Sequence, residues 1–211
     1  ASISGKVTAI GNFPHILGSD MPSIIIESDG KDEWVAGIRE TPDFSVLGPD
    51  ELKKLVLDAG IVGMGGATFP THVKLSPPKE KPIDVVILNG AECEPFLTSD
   101  HRLMLERPKE IIEGLKILMR ILNVGKGYIG IEANKPDAIE TMTRAAAGSP
   151  DIKVWPVKVK YPQGAEKMLI KAIANRTVPA GSLPMDVGVV VQNVGTAAAV
   201  YTAVRYGRPL I

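Results

Sequence analysis

The stretch IDVVILNG, Ile83–Gly90, decides how this chain is read. It is a continuous apolar strand, the pattern expected when both faces of a parallel sheet are covered. Outward from it, helix-like and strand-like segments alternate. GPDELKKLVLDAG (48–60) places Pro49 near a helix start and Gly60 after the last turn, with acids in the first turn. Its Leu52, Leu55, Val56 and Ala59 share one face. PKEIIEGLKILMRILN (108–123) is a helix with Ile111, Ile112, Leu115, Leu118, Met119 and Leu122 on its buried stripe. GYIGIEA (127–133), IKVWPVKV (152–159) and VGVVVQN (187–193) read as strands. KPDAIETMTRAAAG (135–148), GAEKMLIKAIAN (164–175) and GTAAAVYTAVRYG (195–207) read as helices. Residues 46–211 are therefore α/β, a mostly parallel Rossmann-like sheet covered by helices. Residues 1–45 are β-rich, with ISGKVTAI and SIIIES as strands and a turn at DGKDEW, and read as part of a barrel-sandwich hybrid.

The totals narrow the function classes. The 211 residues are 45% hydrophobic and 23% charged, the balance of a soluble globular protein. Lys plus Arg equals Asp plus Glu at 24 each, so no basic footprint for nucleic acid or anionic lipid is present. The single cysteine, Cys93, excludes an internal disulfide framework. It lies between Glu92 and Glu94, whose charge disfavours a thiolate nucleophile. His15, His72 and His101 lack ligand spacing and read as structural or surface residues, so no metal site is expected. Trp34 and Trp155 read as packing residues. No apolar run reaches the roughly 18–20 residues of a membrane span. The first and last residues look cut, as in a fragment of something longer.

DAGIVGMGGATFPTHVK (Asp58–Lys74) raises the question of phosphate binding. No Lys-Ser or Lys-Thr pair follows Gly66, so it is not a P-loop. It lacks the third glycine of the dinucleotide fingerprint and follows a helix rather than a strand. A literal G-x-G-x-x-G at Gly125, Gly127 and Gly130 has the reverse order, helix then strand. There, Gly125 reads as a helix C′ residue and Gly127 as a turn. Spacing alone leaves two readings of the loop at 60–70 open: a backbone platform for a ligand, and a wide turn between helix and sheet.

The segment GIVGMGGATFPTHVKL (60–75) followed by VILNGAECEPFLTSDHRLM (86–104) closely resembles the NADH-oxidising flavin and iron–sulfur subunit of the Rnf electron transport complex. More distantly, it is similar to the flavoprotein subunit of respiratory complex I. That family's flavin loop reads G-x-G-G-A-x-F-P-T, and its second motif N-[AG]-x-E-x-E-P. YPQGAEKMLI (161–170) and VVVQNVGTAAAV (189–200) match its third and fourth flavin-site segments in order. The resemblance covers nearly the whole chain. It implies a bound FMN that takes a hydride from NADH and passes electrons singly toward iron–sulfur (4Fe–4S) clusters and, in the whole complex, ferredoxin, coupled to ion translocation. It also implies other Rnf proteins as partners and a peripheral place on the cytoplasmic face of the membrane.

On that resemblance the cofactor-binding residues are Gly63, Gly65, Gly66, Lys74, Asn89, Glu92, Tyr161, Gln192, Asn193 and Thr196. Those toward NADH are Phe69, Glu94 and Glu166. The glycines would let backbone lie against the cofactor, and Lys74 would supply charge for phosphate. Asn89, at a strand's carboxyl end, offers both donor and acceptor. Asn193 and Thr196 would flank a phosphate at a helix N-terminus. Glu92, Glu94 and Glu166 would bond ribose or carboxamide groups, or lower the flavin potential. No residue is expected to act as a proton donor. Each polar residue has an ordinary structural alternative: a solvated charge or helix cap for the acids, an N-cap for Asn193, a core aromatic for Phe69.

Departures from the complex I pattern stand at Ala91 and Ala165, where it has acids, at Gln192, where it has Asn, and at Thr68, where it has Gly. One cysteine holds no cluster, and the resemblance implies that the clusters lie in a cysteine-rich C-terminal region beyond the flavin domain. A cobalamin reductase of the same family and a cofactor-free scaffold of the same fold are the alternatives.

Overall fold

A computed structural model describes residues 3–35, 38, 40–41 and 43–210. The expectations about the first two and the last residues lie outside these. The chain divides after Ile38 into two compact units. In the first, β1 (Gly5–Pro14) pairs antiparallel with β2 (Asp20–Ser28), with a bulge between Val7 and Ala9. The connecting turn uses Gly18 at φ +83, and the Gly18 N–H donates to the His15 carbonyl. Apolar side chains such as Ile10 and Ile24 are exposed on this two-stranded ribbon.

The second unit holds a four-stranded parallel sheet. Its strands are β3 (Val85–Asn89), β4 (Gly127–Glu132), β5 (Ile152–Val157) and β6 (Val189–Asn193), in the order β5-β4-β3-β6. The helices are α1 (Pro49–Asp58), α2 (Thr71–Lys74), α3 (Ser99–Glu106), α4 (Pro108–Leu122), α5 (Pro136–Ala146), α6 (Glu166–Ala174) and α7 (Val194–Tyr206). The run at Val85–Leu88 is apolar throughout because each face meets its own core. Val86 and Leu88 pack with residues of α1, α4, α5 and α7, while Val85 and Ile87 pack with Leu169, Ile170 and Ile173 of α6. β5 tolerates Pro156 because it is an edge strand, and its Trp155 meets Tyr128 edge-to-face at 6.0 Å.

Helix ends follow local chemistry. Glu51 accepts from the Gly48 N–H at 2.8 Å, closing the start of α1. α4 crosses α7 at Gly114, where a Cβ would lie 1.9 Å from the Ala197 carbonyl oxygen, so only glycine permits this helix contact. The expected roles of Gly125 and Gly127 need correction. The left-handed C-terminal residue of α4 is Asn123, at φ 53. Gly127 lies in β4, paired with Val86 and Ile152. A Cβ there would lie 2.7 Å from the Met119 sulfur, so this glycine serves strand–helix packing.

The chain runs outward from β3 through β4 to β5, then returns across α6 to place β6 on the other side of β3. The carboxyl ends of β3 and β6 thus form a topological switch point, the position where open α/β sheets bind ligands.

Candidate functional site

Asn89 and Asn193 are the last register partners of β3 and β6. The Asn89 amide donates to the Gly164 carbonyl at 2.8 Å, and its oxygen accepts from the Ala91 N–H at 3.0 Å. It thus ties the segment before α6 to the segment after β3. Asn193 is the N-cap of α7, its oxygen accepting from the Gly195 N–H at 2.7 Å. Its amide donates to Asp100 of α3 at 2.6 Å.

The glycine loop closes on itself and on this helix end. Gly63 donates to the Phe69 carbonyl at 2.8 Å, and Thr71 to that of Ile61 at 3.0 Å. The Met64 N–H donates to the hydroxyl of Thr196, a fully buried residue, at 2.9 Å. Gly65 sits at φ +72, where a Cβ would lie 2.9 Å from the Asn193 amide nitrogen. Beside Gly66 a Cβ would meet nothing within 4 Å. Thr68 holds φ 51, a left-handed conformation costly for a β-branched residue. That gives a physical reason for glycine at this place in the related pattern.

An apolar cavity of about 500 Å³ opens beside the loop, within the usual ligand range of about 300–1,000 Å³. Gly63, Met64, Ala67, Thr68 and Phe69 line it from the loop, and Val73 and Lys74 from α2. Glu166, Leu183–Met185 and Val189–Val191 complete it. Lys74 forms an ion pair with Glu166 and donates to the Val191 carbonyl at 3.2 Å, so the cavity's two charges face each other.

Acids cluster beyond the strand ends. Glu92, 6% exposed, accepts from the N–H groups of Asp100 at 2.7 Å and His101 at 3.0 Å, and from the Ser99 hydroxyl at 3.3 Å, capping α3. Burial pushes the Asp100 carboxyl above its ordinary pKa. The Asn193 hydrogen bond opposes this, Glu92 adds to it, and Lys135 opposes it. Lys135 itself pairs with buried Glu132 at 3.4 Å. His101 meets Asp137 at 2.9 Å.

Eight of the thirteen residues singled out in the sequence fall into two groups. Phe69, Lys74 and Glu166 line the cavity with Gly63. Asn89, Glu92, Asn193 and Thr196 form the hydrogen-bonded floor at the strand ends. Gly65 and Gly66 are exposed, as are Glu94 and Tyr161. Gln192 is 2% exposed, and its amide nitrogen has no protein partner.

Sequence reading missed Asp100 and Gln163. Gln163 is 1% exposed with both amide atoms unpartnered. It adjoins Gly164, whose Cβ would stand 2.9 Å from the Ala91 carbonyl oxygen. Among the described residues no group of three or more His, Cys, Asp or Glu is arranged to hold a metal ion. No helix among them is long and apolar enough to cross a membrane.

Residues 56–202 match the model of the Nuo51 FMN-binding domain. The chain belongs to this family. It is 55% identical over 211 residues to a subunit of the proton-translocating ferredoxin:NAD(+) oxidoreductase complex of Clostridium ljungdahlii, covering all of this chain and 46% of that one. It is 51% identical over 210 residues to the counterpart in the Na(+)-translocating complex of Acetobacterium woodii, covering 47% of it. The chain therefore spans about half the length of these relatives. Among solved structures, an air-oxidized NAD+-reducing NiFe-hydrogenase matches with a TM-score of 0.62 and 26% identity. That match covers 74% of this chain and 30% of the hydrogenase chain.

The residues present fit a flavin nucleotide. The α7 N-terminus has N–H groups without intrahelical partners and no acid in its first turn. Open space stands beside Gly66, and Gln192 offers an unpartnered buried donor.

Proposed function

We propose that this chain is the FMN- and NADH-binding module of an ion-translocating ferredoxin:NAD+ oxidoreductase of the Rnf type. The observation that carries the reading is the meeting of the glycine loop with Asn193, the register partner of Asn89, at the β3–β6 switch point, beside a cavity lined by Lys74 and Glu166. In this reading FMN, when bound, supplies an acceptor for the hydride of NADH and a donor of single electrons.

The chain's own residues bind and orient. Gly63, Gly65 and Gly66 present backbone without side chains. The α7 N-terminus and Lys74 favour phosphate. Asn89, Glu92 and Asn193 keep the strand ends in place through the bonds described above. Gln192 and Tyr161 are assigned to the flavin side, and Phe69, Glu94 and Glu166 to NADH. Thr196 contributes by fixing Met64, and hence the loop, on the helix that faces the phosphate. The apolar walls from Val73, Leu183 and Val189–Val191 exclude water. Iron–sulfur clusters held elsewhere in the complex would take those electrons on toward ferredoxin. The module sits at the cytoplasmic face of the membrane through the other proteins of the complex.

The deciding experiment is anaerobic. FMN is titrated with the protein, then NADH is added. Quenched flavin fluorescence followed by bleaching of the visible spectrum is expected. An unchanged spectrum on protein addition would sink the flavin assignment, and binding without bleaching would sink the NADH assignment.

A further inference from the structure

None of the motif readings gives Asp100 a role, yet it stands behind both Asn193 and, through Asn193, the glycine loop. We propose that Asp100 is a positioning residue for the flavin site: its ionised carboxylate holds the Asn193 carboxamide in the orientation that caps α7 and backs Gly65, and protonation loosens that hold. The proposal rests on the flavin reading above.

Asn193 can point its amide two ways, and the neighbours decide which. The Gly195 N–H needs an acceptor and finds the Asn193 oxygen at 2.7 Å. Asp100 needs a donor and finds the Asn193 nitrogen at 2.6 Å. A flipped amide would set nitrogen against an N–H and oxygen against a carboxylate, two repulsive contacts. Ionised Asp100 therefore selects one flip. The glycine loop passes close to the same carboxamide, where a Cβ on Gly65 would lie 2.9 Å from its nitrogen, so a carboxamide that Asp100 no longer holds leaves the loop's neighbour free to move. Asp100 in turn is anchored by its own backbone N–H on Glu92 at 2.7 Å, next to the His101 N–H on the same carboxylate.

The charges around Asp100 come from named elements. Glu92 faces it from the segment after β3 and Lys135 from the turn before α5. Lys135 is shared with Glu132 of β4. His101, next on α3, is paired with Asp137 of α5. Arg107 and Glu110 at the start of α4 pair with each other, and α7 presents no ionisable side chain before Tyr201. Burial lifts the carboxyl above its ordinary range. Once protonated, it offers Asn193 a neutral acceptor in place of a charged one, and such bonds are about half as strong.

Two measurements on the 211-residue chain test this. Without ligand, the side-chain amide resonances of Asn193 should titrate with a midpoint above the ordinary aspartate value of about 3.9, and Asp100→Asn should abolish that titration. With FMN, affinity should fall as the pH drops through the same midpoint, beyond the change caused by protonation of the FMN phosphate. Asp100→Asn should bind FMN roughly fivefold more weakly at neutral pH and lose only the Asp100 component of the profile. Asp100→Ala should bind more weakly still at every pH; if it does not fold, Asp100→Asn carries the test. Wild-type affinity and wild-type pH profile in Asp100→Asn would overturn the proposal, because a purely structural role leaves the profile unmoved. If the wild-type chain binds no FMN at any pH, the flavin reading falls, and the ligand-free Asn193 resonances alone decide whether Asp100 holds the amide.

Discussion

Asn89 and Asn193 end neighbouring parallel strands as register partners, yet their carboxamides serve different loops. Asn89 bridges Gly164 and Ala91, and Asn193 bridges Asp100 and Gly195. Each strand end thus fastens the backbone that follows it and one segment distant in sequence, at Gly164 and at Asp100. Asn89→Ala removes the first pair of bonds and leaves the part-buried Gly164 carbonyl without this donor. A cost of about 1–3 kcal/mol is expected, read as a lower urea midpoint with an unchanged slope. Amide exchange across 161–165 should quicken while that of β4 and β5 does not.

The Lys74–Glu166 pair contributes little to stability, because its side chains are 28% and 40% exposed and such pairs give at most about 1 kcal/mol. Glu166→Gln should therefore melt close to wild type. If Glu166 lies near the flavin, removing its charge makes reduction easier. The midpoint potential of the bound flavin should then rise on the order of tens of millivolts, about 30 mV being roughly 1.4 kcal/mol for two electrons. Spectroelectrochemical titration measures this, and an unmoved potential would place Glu166 away from the ring.

Asp100 gives a pH dependence of stability with a definite sign. Its folded pKa is raised, so folding binds its proton more tightly than the unfolded chain does. The stability it contributes is fully present below the unfolded value of about 3.9 and is lost as pH rises through the folded value. Asp100→Asn keeps a hydrogen-bonding group and carries no charge. It should melt higher than wild type at neutral pH. That advantage should disappear in acid. Melting curves of both proteins across pH check it; a higher wild-type melting temperature at neutral pH would reverse the sign.

The sheet and its larger helices were legible because burial writes periodicity into sequence. Val85–Leu88 lies between two cores, and the stripe of α4 from Ile111 to Met119 is buried as its spacing required. Gly127 was misread because a glycine that lets a helix approach a strand carries the same letter as one that makes a turn. The brief α2 and the eight-residue α3 escaped notice, since their turns are fixed by tertiary contacts rather than by a long apolar face. Glu92, from seven residues upstream, satisfies N–H groups in the first turn of α3. Asp100 was invisible for the same reason. Its partner lies 93 residues away, and only the return of the chain to β6 brings them together.

Gly65 and Gly66 separate the two readings that loop spacing left open. Gly65→Ala should suffer with or without ligand, because the residue sits at φ +72 and its Cβ would press on the Asn193 amide at 2.9 Å. A stability loss of about 1–3 kcal/mol is expected from that strained backbone. Gly66 has no such conformation, is exposed, and its Cβ would meet no protein atom within 4 Å. Gly66→Ala should therefore leave the melting temperature within about 2 °C, as surface substitutions within about 0.5 kcal/mol do. If the loop is only a turn, nothing else changes. If its backbone carries the flavin, the added methyl occupies the ligand's place. FMN affinity should then fall at least tenfold, the equivalent of about 1.4 kcal/mol, from a protein that is otherwise unaltered. Fluorescence titration beside a thermal melt of the same sample reads both quantities, and unchanged affinity in Gly66→Ala would remove the flavin from this loop.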